Sequence, residues 1–366
     1  WGLINLASEA QREAVAIAER LGGVIDPAAG PNHPAAVTAF QEWGEVSATL
    51  GEVAAQDGLV VVWPADLEKT HPRLLSRWKI EGSDDPRLLR FRHGDVQPGS
   101  WTVPAERELE FLWILRELAR ARSLSRHPLA AAGGDQPPAS REAPSSSSAA
   151  EDGLREMARR LLERLAAARY VLLAYDAAAM DPPRQHALRA LAATLNGLTR
   201  FRLFPLRGGG NRMGAEAVLT WQTGFPTAVD FTPGHPRSNA GEFSAARLLE
   251  SGEVDAALVV CADPADFPAE HGLARLADLP RVVLDSAPNS LAPGSAVALR
   301  SAPYGVASGG TFFRMDGIAL GLRPAIRSAY PTEIEWLSRI LGALGPRARP
   351  FPPPAKTPPP PLSPAA

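Results

Sequence analysis

The sequence has one cysteine in 366 residues, and this scarcity excludes several classes of protein. A single thiol cannot form an intrachain disulfide framework, and it cannot supply a cysteine-based zinc or iron–sulfur site within these residues. Cys261 lies in an apolar run and is expected to be part of a core. No apolar stretch reaches the roughly 20 residues of a transmembrane helix, and no charged-then-apolar signal sequence opens the chain. The expected location is the cytoplasm.

An excess of charge of one sign is also missing, because 38 basic and 40 acidic residues leave a net charge of -2. Such a balance creates no field that would attract nucleic acid or an anionic membrane, so neither is expected as a partner. The charged run Glu106, Arg107, Glu108 and Glu110 is typical of a solvated helix face. With 45% hydrophobic residues, the chain can bury two ordinary cores, and its length favours two or three domains.

Two apolar runs lead into loops of the same kind. Residues 59–63, Leu-Val-Val-Val-Trp, precede Pro-Ala-Asp, and residues 257–261, Ala-Leu-Val-Val-Cys, precede Ala-Asp-Pro. Continuous apolar runs are typical of strands buried on both faces of a parallel sheet, and open α/β sheets bind ligands beyond the carboxyl ends of such strands. The duplication therefore predicts two half-sites for ligands.

Strands and helices are expected to alternate along most of the chain, which predicts an α/β fold. Ser8 and Gln11 have the spacing of a capping box at the start of the first helix, which Gly22 ends. The apolar runs predict strands at 24–25, 59–63, 88–91, 170–174, 201–204, 257–261, 282–285 and 296–299. Helical periodicity predicts further helices at 106–122, 154–168, 184–195, 242–250 and 332–344.

Composition divides the chain into four parts. Residues 1–126 are the first α/β domain, and because the chain opens on Trp1 without Met we expect an amino-terminal portion to be missing. Residues 127–152, with a Ser run and little to bury, predict a disordered linker. Residues 153–346 repeat the α/β pattern as a second domain, and the Pro-rich residues 347–366 predict a disordered tail.

A glycine-rich segment from Gly208 to Gly214 follows a predicted strand. Its glycines would let backbone amides approach a phosphate closely. The spacing is not Gly-x-Gly-x-x-Gly, so a simple flexible connection is an equally good interpretation of this segment alone.

Several runs in the second half of the chain together resemble the B subunit of formylmethanofuran dehydrogenase, a member of the molybdopterin oxidoreductase superfamily. They are Leu-Thr-Trp-Gln-Thr-Gly at 219–224, Val-Asp-Phe at 229–231, Gly-Glu-Val-Asp-Ala-Ala-Leu at 252–258 and Gly-Gly-Thr-Phe-Phe-Arg-Met-Asp-Gly at 309–317. The Thr-His-Pro-Arg run at 70–73 extends the resemblance into the first half. It implies two Rossmann-like domains with mainly parallel sheets.

The resemblance also implies a set of cofactor-binding positions. Catalytic members of the family hold molybdenum or tungsten between two molybdopterin guanine dinucleotides, one on each α/β domain, beside an iron–sulfur cluster near the amino terminus. Asp66 and Asp263, in the loops after the twin strands, would face the guanosine ends. Asn211 and Gly214 would lie along a pterin pyrophosphate, and Asp285 would belong to the matching loop of the second domain.

The departures from the family pattern predict that the chemistry has been lost. The family places its metal-binding Cys or selenocysteine just before a His, whereas here Asn32 precedes His33. An Asn amide is a poor substitute for the soft thiolate that molybdenum or tungsten needs. Asn32 and His33 are therefore vestigial candidates, and His33 is better interpreted as a loop residue hydrogen-bonded to backbone. Pro64 replaces the usual Gly and further damages the first half-site.

These observations predict no catalytic residue, no metal ligand and no bound cofactor. The resemblance implies a structural B subunit of a formyltransferase/hydrolase complex in tetrahydromethanopterin- and methanofuran-linked one-carbon metabolism, which oxidises formaldehyde to formate. Its partners would be an amidohydrolase-like A subunit, a formyltransferase-like D subunit and a C subunit. The alternative is a molybdenum- or tungsten-dependent dehydrogenase component that interconverts CO2 and formylmethanofuran and retains molybdopterin guanine dinucleotide. A free-standing guanine nucleotide-binding module is a third hypothesis.

Overall fold

The computed structural model describes residues 1–27, 33–95, 101–125, 149–262, 270–287 and 291–345, and all of their side chains except those of 33–35, 149–151 and 270–272. Asn32, Asp263, most of the predicted linker and the predicted tail lie outside these residues. The α-helices α1 to α13 are Ser8–Leu21, His33–Trp43, Leu50–Ala55, Leu67–Thr70, Leu74–Arg77, Glu108–Ser125, Ala149–Ala167, Pro182–Leu195, Arg212–Thr223, Ala240–Phe243, Ala245–Ser251, Glu270–Asp278 and Glu333–Ala343.

The strands β1 to β14 are Val24–Ile25, Leu59–Val62, Leu88–Arg90, Arg92–His93, Thr102–Val103, Tyr170–Asp176, Arg200–Leu206, Val229–Asp230, Arg237–Ser238, Ala257–Val260, Arg281–Asp285, Val297–Arg300, Gly310–Phe313 and Ala319–Leu322. Helices and parallel strands alternate along much of the chain, so the α/β class expected from the sequence is confirmed. Within the described residues, no helix is both long enough and apolar enough to cross a bilayer.

The first parallel sheet has the strand order β3-β2-β6-β7. Its central strands are apolar throughout because helices cover both faces. Val61 and Leu173 pack against α6, α7 and α8, whereas Val60 and Leu172 pack against α3, α4 and α5. This three-layer arrangement explains why residues 59–63 are a continuous apolar run rather than an alternating one.

The second parallel sheet has the order β10-β11-β12 and is also covered on both faces. Val260 and Leu284 belong to a core with α1, α9 and α13, and Val259 and Val283 belong to a core with α11 and α12. The first residues of the chain extend this sheet, because Gly2 forms a parallel bridge to Val260.

The cores divide the molecule into two lobes. Lobe A contains the described residues of 33–206 and the first sheet, and lobe B contains residues 1–27, the described residues of 209–345 and the second sheet. The chain therefore begins in lobe B, continues through lobe A and ends in lobe B.

This division differs from the one expected from composition. Strand β2 pairs with β6 in parallel, so the two sides of the predicted linker at 127–152 share one sheet. The physical reason is that a strand buried on both faces also needs a neighbouring strand at each edge. The sequence of the strand does not indicate which other strand this neighbour is. A change in composition shows only that a segment has fewer residues to bury. Here the change at 127–152 lies between two parts of the sequence that belong to the same lobe.

The hairpin of β13 and β14 connects the lobes. The Asp316 carboxylate in its turn accepts a hydrogen bond from the backbone N–H of Leu50 in lobe A, at 2.7 Å. Arg314 holds the same carboxylate at 2.6 Å, and Met315 packs on the lobe A core. The hairpin thus ties α3 to lobe B.

Candidate functional site

The carboxyl edge of the first sheet, where the sequence predicted one half-site, is filled by aromatic side chains. Trp63 and Phe91 directly follow β2 and β3, and both are buried. Their rings stack with centroids 4.6 Å apart, and Phe111 of α6 lies 6.0 Å from Trp63. Trp101 covers Phe91 at 5.6 Å. These rings belong to the same core as Val61 and α6, so they occupy the α6 side of this strand end.

A buried carboxylate completes the same edge. The Trp63 indole N–H donates to Glu108 at 2.5 Å, and Glu108 also contacts His93 Nε2 at 3.1 Å and Arg184 Nε at 3.3 Å. The sequence predicted that Glu108 lies on a solvated helix face, and this prediction is wrong because the side chain is 4% exposed. Glu110 does face solvent, where it pairs with Arg107 at 2.7 Å. Helical spacing alone did not distinguish these two glutamates.

Asp66 has a structural explanation. Its carboxylate accepts a hydrogen bond from the backbone N–H of Lys69 at 3.1 Å and so caps the amino terminus of α4. Aspartate is among the residues that favour this position. His71 next to this helix contacts the carbonyl oxygen of Arg207 at 3.3 Å and the Thr70 hydroxyl at 3.0 Å. Both residues therefore fix the loop after β2.

The carboxyl edge of the second sheet is crossed by the amino-terminal segment. Asn5 Nδ2 donates to the carbonyl oxygen of Cys261 at 3.1 Å, and Asn5 Oδ1 accepts the N–H of Gly210 at 3.0 Å. Cys261 is 2% exposed, as expected of a core residue. Burial raises the pKa of its thiol well above the usual value, which keeps the sulfur protonated and unreactive.

Asp285 and Glu333 make this second edge acidic. Asp285 ends β11 and accepts from the backbone N–H groups of Ser286 at 2.7 Å and Ala287 at 3.2 Å, so it also caps a turn. Glu333 begins α13 and is 2% exposed, and burial raises the pKa of its carboxyl, with the charge of Asp285 adding to the effect. Ser301 donates to Glu333 at 3.4 Å.

The glycine-rich loop packs against the amino-terminal segment. The N–H of Asn211 donates to the carbonyl oxygen of Ile4 at 2.5 Å, and Gly210 is bound by Asn5 as described above. Gly209 has φ +79°, and a Cβ there would lie 2.9 Å from Ile4 Cδ1. These glycines therefore allow close contact between two protein segments, and two of the loop amides are already used.

Asn211 is fully buried, and both ends of its amide are bonded within the protein. Its Nδ2 donates to the carbonyl oxygens of Leu6 at 2.7 Å and Thr311 at 3.3 Å, and its Oδ1 accepts the N–H of Phe313 at 2.6 Å. A Cβ at Gly214 would lie 2.2 Å from that oxygen. Asn211 and Gly214 therefore form a clamp that joins α9 to β13 and to the start of the chain.

A small cavity remains between the ends of β6 and β7. It encloses about 20 Å³, which is room for one water molecule, whereas ligand pockets span roughly 300–1,000 Å³. Arg207 at its rim pairs with Glu216 at 2.9 Å, and Arg189 pairs with Glu45. The lining residues are Ala36, Ala177, Ala178, Arg189, Pro205, Arg207 and Arg212.

Asp66, Asn211 and Asp285, which the resemblance assigns to a molybdopterin guanine dinucleotide, all make hydrogen bonds within the protein. The first edge is filled by aromatic rings, and the amide of Asn211 is engaged within the protein. His33 is the first residue of α2, with its side chain outside the described set, and Asn32 and Asp263 are outside it too. Across the described ranges, no cluster of three or more His, Cys, Asp or Glu side chains could hold a metal ion.

Curated relatives of this chain are B subunits of two kinds of complex. The B subunit of the tungsten-containing formylmethanofuran dehydrogenase 2 of Methanocaldococcus jannaschii is 29% identical over 345 residues, covering 89% of this chain and 74% of the relative. Its counterpart in Methanococcus maripaludis is 26% identical, covering 90% and 75%. The B subunit of the formyltransferase/hydrolase complex of Methylorubrum extorquens is 25% identical over 276 residues, covering 73% and 68%. No protein-family model matches the chain.

The fold is similar to a chain in the crystal structure of the formyltransferase/hydrolase complex of Methylorubrum extorquens with methylofuran. The TM-score is 0.71 at 23% identity, and the match covers 94% of this chain and 90% of that one. Together these similarities confirm the resemblance to formylmethanofuran dehydrogenase B subunits that the sequence motifs predicted.

Proposed function

We propose that this chain, a relative of the formylmethanofuran dehydrogenase B subunits, is the structural B subunit of a formyltransferase/hydrolase complex in tetrahydromethanopterin- and methanofuran-linked one-carbon metabolism. The observation that carries the proposal is the Trp63–Phe91–Phe111 stack, which fills the sheet edge where a dinucleotide would bind. The sequence similarity to a B subunit of such a complex supports it.

In this proposal the chain contributes packing surface. The formyl transfer and hydrolysis that the complex performs on the way from formaldehyde to formate would belong to a formyltransferase-like D subunit and an amidohydrolase-like A subunit, with a C subunit as the third partner. Lobes A and B would correspond to the two Rossmann-like domains of molybdopterin oxidoreductases. The Asn211 clamp suits this role, because it stabilises the junction between segments far apart in the chain.

The experiment is to co-express the chain with the A, C and D subunits of its source, purify the complex through a tag on the D subunit, and assay formyl transfer and hydrolysis. We expect a stable complex whose activity or assembly is lost when this chain is omitted. Full activity and full assembly without it would contradict the proposal.

One observation favours a second candidate: two relatives, which cover 89% and 90% of this chain, are components of tungsten-containing dehydrogenases. That function would require molybdenum or tungsten and a pterin dinucleotide in the purified complex. Metal analysis by mass spectrometry distinguishes the structural subunit from the dehydrogenase component. The Methanocaldococcus jannaschii enzyme, handled identically, is the positive control. We expect substoichiometric metal. Stoichiometric tungsten or molybdenum together with a released guanine dinucleotide would establish the dehydrogenase function instead.

A further inference from the structure

The outer strand of the β13–β14 hairpin is an exposed apolar edge. All ten residues from 318 to 327 are exposed, and we call them the edge segment. Ile318, Leu320 and Leu322 are 39%, 40% and 38% exposed, and Ile326 is 56% exposed. Alternate residues of a strand point to one face, so the first three side chains form an apolar row.

Within the edge segment, the backbone of Ala319 and Gly321 is open to a further strand, whereas the N–H groups of Ala325 and Ile326 donate to Val306. The N–H of Arg314 donates to the carbonyl oxygen of Ile318, and Phe312 pairs with Leu320. In an antiparallel pair, residues alternate between bonding the partner strand and pointing away from it. The N–H and C=O groups of Ala319 and Gly321 therefore point away from β13.

The opposite edge of the hairpin is closed by the chain itself. The outward N–H groups of β13 are those of Thr311 and Phe313, which donate to Glu9 at 2.9 Å and to Asn211 Oδ1 at 2.6 Å. The two edges of one hairpin thus differ: β13 is covered, whereas β14 is not.

Proteins normally protect an edge of this kind. The usual devices are a charge or proline within the strand, a bulge, or a covering element, because a flat apolar edge pairs readily with another chain. Strand β14, Ala-Leu-Gly-Leu, is short and is followed by Arg323 and Pro324, but the strand itself contains no charge, proline or bulge, and a Cβ at Gly321 would meet no atom within 4 Å. The edge is therefore suited to being covered by a partner.

Charge indicates what kind of partner this is. Arg323 and Arg327 are exposed and form no ion pair with any described residue. The edge segment has no Asp or Glu, so a second copy of this chain would add two arginines and no carboxylate. A strand that places acidic residues beside these arginines would complement them.

We propose that residues 318–322 pair edge to edge with an extended, apolar strand of a partner subunit, and that acidic residues of that partner lie beside Arg323 and Arg327. This mode of recognition uses main-chain hydrogen bonds for affinity and the alternate side chains for specificity. The inference rests on the proposed function, since the partner is another member of that complex.

The test compares Gly321→Pro with Gly321→Ala in the co-expressed complex. Proline removes an N–H that points away from β13, and a proline is tolerated at such an edge position. Alanine keeps the N–H and has free space for its Cβ. We expect Gly321→Pro to lower recovery of the complex about tenfold while Gly321→Ala leaves it unchanged. Thermal unfolding of each isolated variant checks that the chain still folds.

Hydrogen exchange gives a second readout on the wild-type chain. The amides of Ala319 and Gly321 should exchange fast in the isolated chain and at least about tenfold more slowly in the complex. The double variant Arg323→Glu with Arg327→Glu should weaken assembly, with the larger effect at low salt.

The outcomes separate this inference from the proposed function. If the wild-type chain joins none of the A, C and D subunits, the proposed function fails. If the complex forms but Gly321→Pro assembles as well as Gly321→Ala, or the two amides gain no protection, the function stands and this inference is overturned. Protection that appears in the isolated chain and increases with its concentration would show that the occupant is a second copy, which also overturns the inference.

Discussion

At the scale of single residues, the Asn211 clamp illustrates how a motif that looks like a ligand site can be structural. A buried amide must have its donors and acceptor satisfied, and Asn211 finds its partners in Leu6, Thr311 and Phe313. Gly214 is needed because any side chain there would collide with this amide. The asparagine and the glycine are thus explained together by packing.

The change Gly214→Ala tests the clamp. A Cβ 2.2 Å from Asn211 Oδ1 would displace an amide that cannot move without losing buried hydrogen bonds, so we expect the free energy of unfolding to fall by about 2 kcal/mol. Gly342→Ala in α13 is the matched control, because its Cβ meets nothing and alanine favours a helix. Urea denaturation measures both. Equal stability of the two variants would contradict the clamp.

The carboxyl of Asp26 predicts a pH dependence of stability. Burial raises its pKa from the usual 3.8 to about 6, while its hydrogen bonds to Ala245 and Thr227 oppose that change. The folded state therefore binds a proton more tightly than the unfolded state between these two values. This contribution to stability is fully present below about pH 4 and is lost as the pH rises through about 6.

Replacement of Asp26 by Asn should remove this pH dependence. The amide oxygen can still accept the N–H of Ala245, which lies 2.8 Å from Asp26 Oδ2. We expect Asp26→Asn to be more stable than the wild type near pH 8 by up to roughly 3 kcal/mol, from a pKa change of about two units, with no advantage near pH 4. Unfolding curves across that range are the measurement, and a constant difference at every pH would refute the assignment.

At the scale of elements, helix α13 follows its sequence signal and α1 does not. Thr332 caps α13 with a capping box in which the Glu335 carboxylate accepts a hydrogen bond from the Thr332 backbone N–H at 2.7 Å. The same spacing at Ser8 and Gln11 predicted a capping box for α1, and that prediction is wrong, since Ala7 is the cap and Ser8 is already helical. Gln11 instead donates to the carbonyl oxygens of Leu3 and Asn211.

The capping box of α13 predicts a defined loss on mutation. Thr332→Ala removes the acceptor for the N–H of Glu335, so we expect the free energy of unfolding to fall by about 1 kcal/mol. Thr332→Ser retains the hydroxyl and should lose much less. Differential scanning calorimetry of both variants checks this, and a Thr332→Ala protein as stable as the wild type would show that packing of α13 against α1 alone positions the helix.

At the scale of the whole molecule, the chain crosses between lobes and returns. Lobe B cannot form from a contiguous carboxyl-terminal half, because its core includes Leu6, Val15 and Ile17 from the first helix region. Lobe A likewise needs strands from both sides of residues 127–152. Each lobe therefore forms only when segments distant in sequence come together.

Cleavage within the predicted linker tests this arrangement. A protease site inserted between residues 127 and 148 should be cut without separating the two fragments, because β2 and β6 pair in the register Leu59 to Val171 through Val62 to Ala174. We expect the cut protein to elute as one species in gel filtration and to separate only in denaturant. Two fragments that elute independently without denaturant would show that the two sides fold as separate domains.

How much the sequence predicted depended on whether the information was local. The strands at 59–63 and 257–261, the helix at 106–122 and the burial of Cys261 can be predicted from the pattern of apolar residues. That pattern is local, because it involves only residues close together in the sequence. Helix α9 was missed, because the glycine-rich run that precedes it obscured its start at Arg212. Glu108 was misjudged because its partners Trp63, His93 and Arg184 come from three other segments.

The sequence by itself determined the α/β class, the position of the twin strand ends and the relationship to formylmethanofuran dehydrogenase B subunits. Only the tertiary structure decided which strands are neighbours and that Trp63 and Phe91 pack together at the first strand end. It also decided that Asn5 binds the N–H of Gly210 and that the Asn211 side chain binds the N–H of Phe313. The reason is that periodicity records whether a residue is buried. Whether it is buried against a ligand or against another part of the chain depends on segments that meet only in the folded protein.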